Sequence, residues 1–462
     1  MNINPSRAYL IIYIKNLRRR QKWAKTTKIA HCCKFFRKKN TIIALFVVSL
    51  RPKSEQSMKN LRGKKVAALL SGGVDSSVAV ALLVEQGVRP DLWYIQIGPD
   101  RDQTDFTCTI EEDLEMARAV AVKYGLPLQV IDLHKDYWDK VVDYTISQVR
   151  QGLTPNPDVM CNRLIKFGVF DERVGKDYDV IATGHYAQTE EDEEGRTWLC
   201  TSPDPVKDQT DFLAQLQPWQ LEKACFPIGH LPKNEVRAIA EREHLPAAHR
   251  KDSQGICFLG KIDYNEYIRK FLGEQPGQVI DRETGRVLGL HRGLWFHTIG
   301  QRKGLGFSGG PWYVVEKDMK RNILWVANGF EPAAAYSDHF RVAAPHWLTV
   351  TPFGQTKGHT EMQEGAQIEG HSEMQDGGHT EKLEGTQTEG HTEMQEGAAM
   401  KVTLKIRHTP EFTHATMQQM PDGHLDIHTE RPLQGVAPGQ FCVLYDEQQH
   451  RCLGSGEIRG RR

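Results

Sequence analysis

From Lys64 onward, apolar residues come in blocks whose lengths switch between strand scale and helix scale. KKVAALL, residues 64–70, is a short apolar run of strand length. SGGVDSS follows at 71–77, and VAVALLVEQG predicts a helix stopped at Gly87. LWYIQI at 92–97 predicts a second strand. EEDLEMARAVAVKYG at 111–125 predicts a helix that again stops at glycine, PLQVIDL a third strand, and DVIATGHYA at 179–187 a strand running into a loop. Strands alternating with helices imply an α/β domain whose parallel sheet is covered on both faces.

After about residue 265 the pattern changes. GQVID and ETGRVLGLHRG place glycine-rich turns between short strands, and WYVVEKD with NILWVANG predicts a hairpin. MKVTLKIRH, HLDIH and QFCVLYD suit a small β-barrel near the end. The expected organisation is an extension over 1–57, an α/β domain over 58–265, a small mostly β central domain over 266–343, and a C-terminal β-barrel over 344–462. The barrel segment is interrupted at 357–398 by GHTEMQEG-like units, with ten acidic residues, two lysines and no aromatic residue. Such a stretch cannot bury enough apolar surface to offset its ordering entropy, so it reads as a disordered insertion. Its four histidines lack the compact spacing of a zinc site.

Composition narrows the class without changing this plan. A chain of 462 residues suggests two to four domains, and 39% apolar with 26% charged residues excludes collagen-like, fully disordered and membrane-embedded proteins. The longest apolar run, Ile42–Leu50, is interrupted by Ser49 and too short to span a bilayer. Nine irregularly spaced cysteines fit a reducing compartment rather than a secreted disulfide framework.

The zero net charge hides an asymmetry: residues 1–57 carry 14 Lys and Arg against Glu55 alone, so residues 58–462 sum to −13. Nucleic-acid binding by the main body must therefore come from local basic patches. Three readings of the basic segment stand open: a mitochondrial presequence, an RNA-binding arm, or translation starting at Met58. A cytoplasmic location follows unless the first applies.

SGGVDSS carries the strongest chemical signal. Gly72 and Gly73 let the backbone turn tightly toward a ligand, successive amides and a helix N-terminus make an anion site, and Ser71, Ser76 and Ser77 add hydroxyls. There is no Gly-Lys-Ser/Thr ending, so it is not a Walker loop. A plain helix cap rarely combines Ser-Gly-Gly, Asp and Ser-Ser. The heptapeptide resembles the pyrophosphate loop of the N-type ATP pyrophosphatases, which cleave ATP between the α and β phosphates and adenylate an oxygen.

TPNPDVMCNRLIKFG at 154–168 is the second motif. Its two prolines restrict the backbone around Asn156 and Asp158, and Cys161 immediately precedes an expected helix, NRLIKFGVFDERV. That helix N-terminus, with Arg163 and Lys166, would favour a thiolate. The competing reading is a buried structural cysteine. RKDSQGICFLG at 250–260 places Cys257 after a glycine in a polar loop.

With TGHYA at 183–187, KDQTDFLAQL at 207–216 and HTIGQRKGLG at 297–306, these motifs make an ordered set. The chain thereby resembles the tRNA-specific 2-thiouridylase family, densely over about 62–345 and more thinly through KIRH at 405–408 and VAPGQFCVLYD at 436–446. The resemblance implies that Leu69, Leu70, Ser71, Gly72, Gly73, Val74, Asp75 and Ser76 hold ATP, with Ile95 and Gly184 near its adenine and ribose. It implies that Asn156, Pro157 and Asp158 meet the target base, that Cys161 is the nucleophile, and that Cys257 carries a persulfide. His185, Lys207, Asp208, Gln209, Arg407, His408 and Gln440 match tRNA-contact positions. IQIGPD departs from the family's more Met-rich strand end.

The implied activity is 2-thiolation of the wobble uridine in tRNA of the Lys, Glu and Gln type, with Mg²⁺ on the triphosphate and a sulfur-relay protein or cysteine desulfurase as donor. The C2 oxygen of uridine is a poor leaving group until adenylated. Asp158 suits a general acid/base, or else a turn residue. Another pyrophosphate-loop ligase or amidotransferase, or a non-catalytic RNA-binding protein, are the alternatives.

Overall fold

A computed structural model describes residues 61–97, 110–251, 264–353 and 399–461. The basic extension, the segment carrying Cys257 and the expected insertion lie outside these residues.

The first domain follows the sequence pattern. β1 (Val66–Leu69) leads through the glycine loop into α1 (Val74–Glu85), then β2 (Asp91–Gln96), α2 (Ile110–Tyr124) and β3 (Leu128–Asp132). A long helical stretch over 134–150 and a second over 157–173 precede β4 (Val180–Ala182). A hairpin of β5 (Gln188–Glu191) and β6 (Thr197–Cys200) comes next, and β7 (Ala224–Cys225) completes the sheet, whose order is β3-β2-β1-β4-β7, all parallel.

Period-two alternation sorts the side chains. Val66, Ala68, Leu92 and Tyr94 face Val80, Leu83 and Val120 on one side, while Ala67, Trp93 and Ile95 join Phe167, Phe170 and Tyr137 on the other. β2 and β3 are added on one side of β1 and β4 and β7 on the other, which makes its C-terminal end the topological switch point where α/β sheets bind ligands.

The central domain is a four-stranded sheet of β8 (Gly277–Asp281), β9 (Val287–His291), β10 (Trp312–Asp318) and β11 (Ile323–Asn328), in the order β10-β11-β8-β9. β10 and β11 form the expected hairpin, with Trp312 opposite Asn328.

The last domain contains β12 (Tyr336–Trp347), β13 (Met400–Lys405), β14 (Thr413–Gln419), β15 (Leu425–Gln434), β16 (Phe441–Tyr445) and β17 (Arg451–Arg461). Pairing runs β12-β15-β14-β13-β16-β17 and closes through β12–β17, a six-stranded barrel packed inside by Phe340, Val342, Leu404, Met417, Ile427 and Leu444. Two boundaries differ from expectation. The barrel begins at Tyr336 rather than 344, because β12 pairs with both β15 and β17 from its first half onward. The β5–β6 hairpin, from within 58–265, extends the barrel sheet: Cys200 lies opposite Arg451 and Leu199 opposite Cys452.

Candidate active site

The glycine loop sits at the end of β1 and opens α1. Gly72 has φ +78°, and a Cβ there would lie 2.2 Å from the carbonyl oxygen of Asp113 in the first turn of α2, so no side chain fits. Gly73 is the N-cap of α1 and supplies no side-chain cap, which leaves first-turn amides pointing along the loop. Ser76 Oγ accepts from Ser71 N–H at 3.2 Å and lies 3.1 Å from Ser71 Oγ, and Ser77 Oγ donates to the Gly73 carbonyl at 2.7 Å. Hydroxyls thus fix the loop before any anion binds. Gly184, at the end of β4, approaches so closely that its Cβ would stand 2.7 Å from Ser76 N. Leu69 and Leu70 lead into the loop, Leu70 fully buried. Val74 is buried under α1's neighbours. Ile95 packs its side chain into the core beside Trp93 and Ile97.

Asp75 points back from α1. It accepts from Lys233 Nζ at 2.6 and 2.9 Å and from Tyr186 O–H at 2.8 Å. Arg250 Nη1 donates to Asp113 Oδ1 at 2.7 Å and to the Gly72 carbonyl at 3.4 Å, so its guanidinium lies directly beside the loop. Cys257 itself lies outside the described residues.

The second motif corrects one expectation. The helix does not begin after Cys161 but at Pro157, with Asn156 as N-cap accepting from Val159 N–H at 3.3 Å. Cys161 is therefore a full turn inside the helix and 1% exposed, packed with the apolar cluster under the sheet. The argument from a helix N-terminus falls on Pro157 and Asp158 instead. Arg163, expected to support a thiolate, donates to Gln215 Oε1 at 3.1 Å. The loop before Asn156 rests on the barrel: Thr154 N–H donates to the Pro438 carbonyl at 2.8 Å, and a Cβ at Gly439 would stand 2.7 Å from Thr154 N. Gln440 follows this contact, its Oε1 buried without a partner among the described residues.

His185 is buried between Thr183 Oγ1, 2.7 Å from Nδ1, and Lys166 Nζ, 3.5 Å from Nε2. An ammonium can only donate, so Nε2 accepts and Nδ1 carries the proton given to Thr183. Burial first, and then the Lys166 charge, hold its pKa well below the ordinary histidine value.

The KDQTD stretch is placed differently from the tRNA-facing role expected of it. Asp208 is buried and accepts from Lys405 Nζ at 2.9 Å, from Ser202 N–H at 3.0 Å and from Thr210 O–H at 2.9 Å. Gln209 accepts from Tyr186 N–H at 3.0 Å, and Lys207 is half-exposed. Asp208 serves the seam between the first domain and the barrel, because a buried carboxylate must spend its lone pairs internally, whereas Gln209 is bound to Tyr186 within the first domain. Arg407 donates to the carbonyls of Ile299 and Gly435 at 2.8 and 3.1 Å, tying the central domain to the barrel. His408 is exposed, 3.1 Å from Asp211, whose hydrogen bond raises its pKa.

Relatives with the same layout are numerous and close. Family models described as "tRNA methyl transferase HUP domain", "tRNA methyl transferase PRC-barrel domain" and "Aminomethyltransferase beta-barrel domain" match residues 64–261, 265–328 and 380–458. The chain is 49% identical over 394 residues to the tRNA-specific 2-thiouridylase MnmA of Parabacteroides distasonis, covering 85% of this chain and 98% of that protein. It is 51% identical to MnmA 1 of Bacteroides thetaiotaomicron, over 85% of this chain and 99% of that one. It is also 51% identical to MnmA of Porphyromonas gingivalis strain W83, over 86% and 99%.

The chain belongs to the tRNA-specific 2-thiouridylase family. Among solved structures, the U34-tRNA thiolase NcsA from Methanococcus maripaludis covers 49% of this chain and 70% of its own at 20% identity, with a TM-score of 0.29, too remote to add to that membership. Three groups beside the loop in this family member are not marked out by the sequence pattern. Tyr186 and Arg250 lie inside TGHYA and RKDSQGICFLG, where the family resemblance points to other residues. Lys233 lies 158 residues from Asp75 and carried no motif signal.

Proposed function

We propose that this chain catalyses ATP-dependent 2-thiolation of the wobble uridine of tRNA, of the Lys, Glu and Gln type. The observation that carries the reading is the glycine loop at the sheet's switch point, with Asp75 pinned by Lys233 and Tyr186, in a member of this family. The positive-φ Gly72, the uncapped first turn of α1 and the Ser71 and Ser76 hydroxyls suit the phosphates of ATP. Mg²⁺ fits as an ion carried on the triphosphate, because Asp75, the loop's carboxylate, is committed to Lys233 and Tyr186.

Adenylation of the uridine C2 oxygen releases pyrophosphate and makes AMP the leaving group. The outer sulfur of a Cys257 persulfide then attacks C2 and AMP departs. Cys161 attacks the Cys257 sulfur, which frees the thiouridine and leaves a Cys161–Cys257 disulfide for a thiol reductant to reopen. In an alternative order, Cys161 reduces the persulfide first and released sulfide attacks C2. Asp158, in the first turn of the Pro157 helix, serves proton transfer. Asn156, Pro157 and Asp158, at the N-terminus of that helix, meet the target base, and Lys207, Arg407, His408 and Gln440 act in tRNA binding. A sulfur-relay protein or cysteine desulfurase loads Cys257, and the reaction takes place in the cytoplasm. No helix among the described residues is long and apolar enough to cross a membrane.

The test is nucleoside mass spectrometry of tRNA incubated with the protein, ATP, Mg²⁺ and a persulfide donor. 2-Thiouridine at the wobble position supports the proposal. ATP–pyrophosphate exchange without thiolation points to another pyrophosphate-loop ligase, and tRNA binding with neither to a non-catalytic RNA-binding protein.

A further inference from the structure

Three metal-ligating side chains converge where the first domain joins the barrel, and none of them has a role in the reaction proposed above. Glu190 comes from β5, Cys200 from β6 and His450 from the turn between β16 and β17. His450 Nε2 lies 3.0 Å from Glu190 Oε1, and the three ligand atoms all fall within 4.8 Å of one another. Three ligands on a tetrahedral zinc stand about 3.4–3.7 Å apart, given bond lengths near 2.1–2.3 Å. A shift of about an ångström in the side chains would bring them to that spacing.

The backbone that carries these ligands is already fixed. Cys200 pairs with Gln188 across the hairpin and with Arg451 across the domain seam. The turn is drawn onto β6 by Thr201, whose N–H donates to the His450 carbonyl at 2.9 Å and whose Oγ1 donates to the Gln449 carbonyl at 3.0 Å. Asp446 Oδ1 accepts from His450 N–H at 2.7 Å, and Gln449 sits at φ +61°. Ligands held on strands and a pinned turn need little reorganisation to bind.

We propose that Glu190, Cys200 and His450 bind a divalent cation of the zinc class that clamps the β5–β6 hairpin to the barrel. The donor set mixes thiolate, imidazole and carboxylate, the combination zinc takes and magnesium or calcium does not. One thiolate and one carboxylate neutralise the ion. Cys200 is fully buried while Glu190 and His450 are each 43% exposed, so the cation enters from their side and keeps a water as fourth ligand. Burial, and then the Glu190 carboxylate, push the Cys200 thiol well up, and a bound cation reverses that balance by favouring the thiolate. Arg451, stacked 5.1 Å over the Trp198 ring, is the nearby positive charge that opposes binding.

The experiment uses the full chain with Cys161→Ser and Cys257→Ser, which removes the competing thiol pair, after chelator dialysis. Cobalt(II) and zinc are then titrated separately. About one equivalent is expected, with a thiolate-to-cobalt charge-transfer band that zinc abolishes. Adding His450→Ala or Glu190→Gln, both at half-exposed positions that tolerate change, should weaken zinc by at least about tenfold. Adding Cys200→Ala should remove the charge-transfer band. No stoichiometric binding in the starting protein, or unchanged affinity in His450→Ala, overturns the proposal. Binding without the charge-transfer band places the ion elsewhere, for instance on the histidines of 357–398, and overturns it as well.

Discussion

Asp75 separates two halves of the reaction at the level of single side chains. Its carboxylate holds Lys233 and Tyr186 against the glycine loop, whereas neither Cys161 nor Cys257 belongs to the SGGVDSS sequence. Asp75→Ala should therefore lose ATP–pyrophosphate exchange while Cys257 still accepts sulfur. Cys257→Ser should lose sulfur loading, and Cys161→Ser should load but fail to turn over, both with adenylation retained. Radiolabelled sulfur transfer beside exchange assays reads all three, and full thiolation by Cys161→Ser would refute the scheme.

The two site histidines titrate in opposite directions. His408 has its pKa raised by Asp211, so its contribution to stability is complete below the ordinary histidine value near 6.5 and is lost as pH rises through the folded value. His185 has its pKa lowered by burial, so the unfolded chain takes up protons first and stability falls as pH drops below about 6.5. NMR titration should show His185 neutral throughout the neutral range. Asp211→Asn should move His408 back toward the ordinary value, and no change there would remove Asp211 as the cause.

Between elements, the buried Asp208–Lys405 pair is the seam's most exacting contact, its side chains only 2% and 1% exposed. Lys405→Met strands a buried carboxylate and should cost about 3–5 kcal/mol, whereas Asp208→Leu with Lys405→Met should recover most of it. Urea denaturation of the single and double variants measures this, and additive losses would contradict it. The same pair shows what the sequence discloses and what it hides. Lengths and periods of VAALL, the α1 block and LWYIQ foretell β1, α1 and β2 because those patterns are local. The TPNPD and SGGVDSS motifs name their own chemistry. The partners of KDQTD are 197 residues away on β13, and nothing in a run of five polar residues distinguishes a groove facing RNA from a docking seam. The turn of helix in front of Cys161 was likewise not legible, because Asn156 and Pro157 read equally as a loop or as a cap.

At the scale of the molecule, the basic extension and the low-complexity insertion should both be removable. Deleting residues 359–397 changes loop closure only slowly with length, so thiolation should stay within about threefold of the full chain. A loss beyond tenfold in a folded protein would show the insertion at work. A chain starting at Met58 should retain activity, since every motif lies beyond Lys64. Loss of tRNA binding there would instead assign that task to the basic arm. The hairpin of β5 and β6 sets a different limit. It is inserted between two stretches of the first domain yet extends a sheet that ends more than 250 residues later. Cut after residue 265, the first domain would carry an open strand edge at Leu199 and Cys200, a template for pairing with another chain. The barrel is therefore not a portable module. A chimera that exchanges barrels between relatives has to transplant residues 188–200 along with the C-terminal strands, or it will trade a domain interface for an aggregating edge.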